Sequence, residues 1–356
     1  MKRWETRPIF ANGLQIGGQN RCIIQSMTNV STKNVQQVVQ QIRKLEEAGC
    51  QLVRLAILDE EDAKAIALIK PQVSVPLVAD IHFNSGLACL AIENGIDKIR
   101  INPGNIGSKE NVIKVVNQCK KYHVPIRIGI NSGSLEKDVL EKYHHPCPDA
   151  MIESAKKHVQ ILEELDFFDI CLSFKSSSVP LTIDTYRLAA EVFTYPLHLG
   201  VTEAGSYNLS AIKSSAALGA LLHDGIGDTL RISVSSDPVH ELGICKNLLR
   251  NFNLIDDVPN LISCPTCGRI QYDMLPIVDE IEQFLATIHC NVEVAIMGCP
   301  VNGPQEASRA DIGVAGGKDS ALLFRKGEII KTIPQNQIVS TLKEEILNFC
   351  AQEKSK

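Results

Sequence analysis

The 356-residue chain is 44% hydrophobic and 22% charged, a globular balance with room for one large domain and a smaller one. Its formal net charge of −5 argues against a general nucleic-acid binder, and no apolar run reaches the roughly 18–20 residues of a membrane span. The opening MKRWETRPIF has neither an apolar signal-peptide core nor an Arg/Ser-rich transit stretch, so a cytoplasmic protein is expected.

Short apolar or β-branched runs recur at 22–27, 51–57, 76–81, 98–103, 125–130, 169–174, 196–201 and 229–234. Segments of helical period lie between them. In NVQQVVQQIRKLEEAG, for instance, Val35, Val38, Val39, Ile42 and Leu45 share one face and Gly49 stops the helix. Strand and helix alternating eight times predict an N-terminal (β/α)8 barrel of the TIM type over 1–240. A doubly wound open sheet fits less well, because no G-x-G-x-x-G follows the first strand. After Pro238 the rhythm changes. A linker is expected over 241–262, followed by a small α+β domain over 263–356.

Barrel enzymes carry their chemistry at the C-terminal ends of the strands. The polar residues expected there are Arg54, Asp80, His82, Arg100, Asn102, Arg127, Asn131, Lys175, His198, Glu203, Arg231 and Ser233. Arginine inside an apolar strand is costly unless compensated. One such residue is readily paired with a neighbouring acid. Four arginines and a lysine facing chiefly Asp80 and Glu203 leave positive charge over, and the planar guanidinium suits phosphate or diphosphate. Asn102, Asn131 and Ser233 add neutral hydrogen bonds. Asp80, His82 and Glu203 would address hydroxyls or move protons. His198, mid-strand, reads as core or supporting more readily than as a ligand contact.

Twelve cysteines occur, most of them inside apolar runs, as reduced core thiols do. Three stand apart: Cys264 and Cys267 in SCPTCGR, and Cys299 in MGCPVNGPQEA. A C-x-x-C pair with a third cysteine from another loop suits a metal centre one thiolate short, with Glu306 as an available oxygen donor. A zinc site using His289 or Cys290 stays open, as does a plain surface role for Glu306.

These two loops, together with QSMTNVST, ADIHFN, KIRINPGNIG, IRIGINSGSLE, SFKSS, LGVTEAG and GIGDTLRIS, resemble the 4-hydroxy-3-methylbut-2-enyl diphosphate synthase family along essentially the whole chain. The one departure is Gln305, where glycine is expected in the cluster loop. The resemblance implies a two-domain bacterial form, with a C-terminal iron–sulfur domain similar to nitrite and sulfite reductases. It also implies a [4Fe–4S] cluster on Cys264, Cys267, Cys299 and Glu306. The implied substrate is 2-C-methyl-D-erythritol 2,4-cyclodiphosphate, held by Arg54, Arg100, Arg127, Lys175 and Arg231 with Asn102, Asn131, His198 and Ser233. Asp80, His82 and Glu203 would face the carbon skeleton, with Glu203 delivering a proton and Glu306 giving way at the iron. Flavodoxin or ferredoxin is the implied electron donor. A homodimer with the cluster domain of one subunit over the barrel of the other is implied as well. Two other readings compete: a pterin-binding barrel like dihydropteroate synthase, which leaves the cysteines unexplained, and a zinc-stabilised binding protein.

Overall fold

The computed structural model describes every residue except Phe83, Pro300, Ser355 and Lys356; the side chains of Pro103 and Lys354 are also left aside. Phe83 of ADIHFN and Pro300 of the second cysteine loop, both within expected motifs, therefore lie outside the described residues, as does the very end of the expected C-terminal domain. The chain forms two compact units, Met1–Leu254 and Ile255–Lys356.

The first unit is an eight-stranded parallel barrel. Its strands are β1 (Ile23–Met27), β2 (Leu52–Ala56), β3 (Leu77–Asp80), β4 (Lys98–Ile101), β5 (Ile126–Asn131), β6 (Ile170–Lys175), β7 (His198–Leu199) and β8 (Thr229–Leu230). The sheet runs β6-β5-β4-β3-β2-β1-β8-β7. A single parallel bridge, Leu172 to Leu197, joins β6 to β7 and closes the ring. All eight expected strands are present; six are shorter than their apolar runs, and Ile126–Asn131 and Ile170–Lys175 keep the length of theirs, shifted by one residue.

Helices α1 (Val35–Glu47), α2 (Glu60–Ile69), α3 (Ser85–Glu93), α4 (Lys109–Tyr122), α5 (Pro148–Glu163), α6 (Val179–Val192), α7 (Tyr207–His223) and α8 (Val239–Asn251) follow the eight strands in turn. Local chemistry starts and stops them. Asn34, Asp59, Asn84 and Ser178 each accept a backbone N–H in the first turn of their helix. Gly49, at φ +90°, ends the turn after α1, a conformation that an L side chain resists. The apolar face of α1, Val38, Val39, Ile42 and Leu45, is buried as its spacing predicts. An N-terminal hairpin, Ile9–Ala11 with Leu14–Ile16, packs on Ile23, Leu52, Val78 and Cys171 and covers the end of the barrel where the strands begin. The opposite end is left for chemistry.

The stretch 241–262 is not a linker. Its first half belongs to α8, the eighth barrel helix, which buries Leu242, Ile244, Cys245, Leu248 and Leu249. Its end begins β9 (Asn260–Ser263), the first strand of the second unit. The apolar period of α8 reads like that of its predecessors; the change of rhythm comes one helix later than expected.

The second unit is α+β. A five-stranded sheet runs in chain order: β9, β10 (Glu293–Met297), β11 (Ile312–Gly316), β12 (Ser320–Arg325) and β13 (Glu328–Pro334). The first three strands are parallel and the last two antiparallel. Helices α9 (Leu275–Leu285) and α11 (Ile338–Lys354) supply Ile281, Leu285, Ile338, Leu342 and Ile346 to its core, and a one-turn helix α10 (Gly303–Ala307) precedes β11. Among the described residues, no helix is long and apolar enough to cross a membrane.

Candidate active site

Register sets the inner surface of the barrel. Arg100 on β4 stands opposite Asp80 on β3 and Arg127 on β5, while Arg54 on β2 lies beside Val78. With a side-chain period of two, inward residues from neighbouring strands stack into layers. Asp80 is the acid of the upper layer. Its Oδ1 accepts from Arg100 Nη1 at 3.3 Å, and its Oδ2 lies 3.8 Å from Arg54 Nε and 3.7 Å from His82 Nε2. Burial alone would raise the Asp80 pKa. The hydrogen bond with His82 and the charges of Arg54, Arg100 and Arg127 outweigh it and hold the carboxyl well below the usual carboxylate range. Arg54 also donates to Met27 Sδ from Nε and Nη2, at 3.1 and 2.9 Å. Gly129 leaves room for Arg100, since a Cβ there would lie 2.7 Å from Arg100 Nε.

Arg127, the register partner of Arg100, is 1% exposed, with Nε and Nη1 unpartnered. Burial, together with Arg54 and Arg100, lowers its pKa to about 9, and Arg54 is lowered to about 10 chiefly by burial. Lys175, at the end of β6, is likewise pulled well down by burial and by the four arginines Arg54, Arg127, Arg231 and Arg100. Mutual depression of this kind is the mark of like charges gathered without enough counter-charge. The common remedy is an anion.

Several expectations need adjustment. Arg127, level with Arg100 in the register, is more deeply buried than the other arginines of the rim. His198 is closed to solvent, with Nδ1 2.7 Å from Thr229 Oγ1. Burial and the charges of Arg127, Lys175 and Lys98 push its pKa well down, so it stands as a neutral ring beneath the rim rather than at its surface. Arg231 is engaged by an acid that the sequence reading missed. Glu241, from the start of α8, receives Arg231 Nε at 3.1 Å and Nη2 at 2.6 Å, and also Ser26 Oγ at 3.0 Å. Arg231 Nη1 donates to Ser233 Oγ at 2.7 Å. Lys98, two residues before Arg100 on the same face of β4, was missed as well; it is fully buried. Its signal was the alternation in KIRI. Asn102 accepts from Gly129 N through Oδ1 at 2.9 Å, which leaves its amide hydrogens to face elsewhere. Asn131 ends β5, level with Lys175. Glu203 is exposed in the loop after β7, at φ +53°, a sparsely populated conformation for a non-glycine residue.

In the second unit, the cysteine loops leave adjacent parallel strands at the same end. Cys264 follows β9, and its Sγ accepts from Gly298 N at 3.2 Å. The Cys267 thiol is lowered by the backbone N–H and then the side chain of Arg269. Cys299 is lowered by the backbone N–H groups of Asn302 and Val301. Arg269 senses Cys267, Cys299 and Glu306 together. Among the described residues, no three His, Cys, Asp or Glu side chains converge as they would around a single ion. Cys290 is packed in the core with Ile281 and Val292, away from a ligand role. Thiols at strand ends that receive N–H donors suit an iron–sulfur cluster, which takes one ligand per iron and so spreads its ligands. Gln305 lies inside α10 with no positive φ, so this turn does not need glycine.

Family comparison agrees with this layout. The "GcpE TIM-barrel domain" matches residues 6–246 and the "GcpE protein C-terminal domain" matches 260–348. Curated relatives named 4-hydroxy-3-methylbut-2-en-1-yl diphosphate synthase (flavodoxin) include one from Bacillus cereus (strain B4264), 53% identical over 344 residues, covering 97% of this chain and 93% of that one. Another, from Bacillus mycoides (strain KBAB4), is 53% identical over 345 residues, covering 97% and 94%. Among solved structures, dihydropteroate synthase from Stenotrophomonas maltophilia matches with a TM-score of 0.50 at 14% identity, over 70% of this chain and 97% of that one. That likeness shows the barrel fold alone.

Proposed function

The chain belongs to the 4-hydroxy-3-methylbut-2-en-1-yl diphosphate synthase family, and from that we infer that its barrel rim holds a cyclic diphosphate while its second unit carries the electrons that open it. The enzyme is an oxidoreductase. It converts 2-C-methyl-D-erythritol 2,4-cyclodiphosphate into 4-hydroxy-3-methylbut-2-enyl diphosphate, consuming two electrons and two protons and releasing one water. The observation that carries the site assignment is the surplus of buried cation over acid at the C-terminal ends of the strands.

Arg54, Arg100, Arg127 and Lys175 bind the diphosphate, and Arg231 joins them through the guanidinium hydrogens that Glu241 and Ser233 leave free. Asn102, Asn131 and Ser233 orient it with neutral donors. His198, neutral and buried, would lie against the diphosphate site without adding a charge to it. As the ring C–O bond breaks, its electron pair passes to a diphosphate oxygen whose charge these cations stabilise. Asp80 and His82 face the carbon skeleton. Glu203 gives a proton to the departing C3 oxygen, and its exposed position in the β7 loop lets it recover that proton from solvent. Cys264, Cys267, Cys299 and Glu306 would hold a [4Fe–4S] cluster, which supplies electrons singly. The relatives' names support flavodoxin as the donor, with ferredoxin as the other carrier of this type. The same reading takes the enzyme as cytoplasmic and as a homodimer, which sedimentation of the purified chain tests.

Anaerobic turnover of the cyclodiphosphate with a reduced viologen tests the whole assignment. The expected result is the allylic diphosphate together with a broad visible absorbance that bleaches on reduction. Colourless, inactive protein with stoichiometric zinc would overturn it.

A further inference from the structure

Outside the barrel, on α5, a buried histidine joins the two loops that carry the neutral donors of the rim. His158 is 3% exposed. Its Nδ1 receives the backbone N–H of Gly104 at 3.1 Å, and its Nε2 lies 2.7 Å from Glu136 Oε1. A ring nitrogen that accepts from an N–H carries no proton. Nδ1 is therefore bare and Nε2 carries the hydrogen that Glu136 accepts, which fixes the tautomer by geometry.

The two partners belong to different rim loops. Gly104 is in the turn after β4, where Asn105 N also donates to Asn102 O at 2.9 Å. Glu136 closes the loop after β5 that starts at Asn131. Packing adds to the hydrogen bonds: a Cβ on Gly104 would lie 2.7 Å from His158 Cε1 and 3.1 Å from Nδ1. Glycine is thus required by the ring and not by its backbone angle, since Gly104 has no positive φ. The hydrogen bond from His158 helps hold the Glu136 carboxyl below its ordinary range, against a burial effect that would raise it.

We propose that His158 is a positioning residue for diphosphate recognition: it clamps the β4 loop to the β5 loop and so fixes the spacing between Asn102 and Asn131. This rests on the functional reading above. Loops freed from such a clamp lose pre-organisation, and that is read as weaker ground-state binding rather than slower chemistry.

The test is a double-mutant cycle of His158→Ala and Gly104→Ala, measured by calorimetric binding of the cyclodiphosphate and by the split of KM from kcat. Each single variant is expected to weaken binding by about tenfold, the loss of roughly one hydrogen bond, with kcat changed less than threefold. The double variant is expected to bind about as well as either single one, because the added methyl group fills space that the ring has left. Unchanged binding in His158→Ala, with a lowered melting temperature alone, would make the histidine merely structural and overturn the proposal. Losses that multiply to about a hundredfold would overturn it too. If the wild-type protein itself fails to bind the cyclodiphosphate, the functional reading fails instead.

Discussion

Replacing Glu241 by glutamine tests how the rim arginines are held. The Glu241 side chain is 1% exposed and that of Arg231 is 18%. The carboxylate makes two bonds to the guanidinium and one to Ser26. Glutamine keeps the shape, removes the charge and turns an N–H toward an N–H. Breaking a buried pair from one side costs about 3–5 kcal/mol. Arg231 reaches some solvent, so screening lowers this to about 2–3 kcal/mol. For a unit the size of Met1–Leu254, about 2–4 °C per kcal/mol turns that loss into roughly 5–10 °C of melting temperature. The assay is thermal unfolding of the whole chain by circular dichroism, with the barrel transition separated from that of the second unit, since two units need not melt together. Saturating cyclodiphosphate should restore part of the loss, because the ligand brings the missing negative charge to Arg231. A Glu241→Gln protein that melts within about 1 °C of wild type would refute the reasoning; Arg231 would then be held by solvent and not by Glu241.

Three other outcomes are expected. Lys98→Met removes a buried cation whose pKa burial lowers, and should raise the barrel's melting temperature at pH 7. Because the folded state holds that proton less tightly than the unfolded chain, wild-type stability gains from Lys98 as pH rises toward about 10, so the gap between the two proteins should close there; a gap that widens refutes the placement. Gly129→Ala presses on Arg100 and should raise KM for the cyclodiphosphate about tenfold while costing about 1–3 kcal/mol of stability. Glu203→Gln should bind the cyclodiphosphate normally in calorimetry yet lose about 10²-fold or more in kcat with a saturating artificial reductant; full turnover would remove Glu203 from proton delivery.

The barrel was legible because each strand is a continuous apolar run and each helix repeats one apolar face, signals local enough to read from the chain. Asp80, Arg100 and Arg54 were legible for the same reason, as charges set in such runs. Lys98 was readable in principle, since alternation in KIRI turns it inward with Arg100. Glu241 was not. Its meeting with Arg231 depends on how α8 docks after the last strand, and a glutamate in the first turn of a helix reads locally as a dipole partner. His158 lay hidden for a similar reason: its helix presents it as one more buried position among Ala155, Val159 and Leu162. Depth was also lost. Spacing along a strand shows which way a side chain faces but not how completely its neighbours cover it, so the near-total burial of Arg127 was not readable.

The single bridge between Leu172 and Leu197 gives the ring a seam. β1 to β6 are locked by ladders of several residues, whereas β7 and β8 contribute two residues each. Amides along the seam should exchange with solvent through local openings that leave the other strands intact. Arg231 stands directly after the second of those short strands and Glu203 in the loop that follows the first, while Asp80 and Arg100 stand on the ladder-locked side. Under the function proposed above, such a pocket would grip the compact ring of the substrate and accommodate the longer open chain of the product without unfastening the arginines proposed to hold the diphosphate.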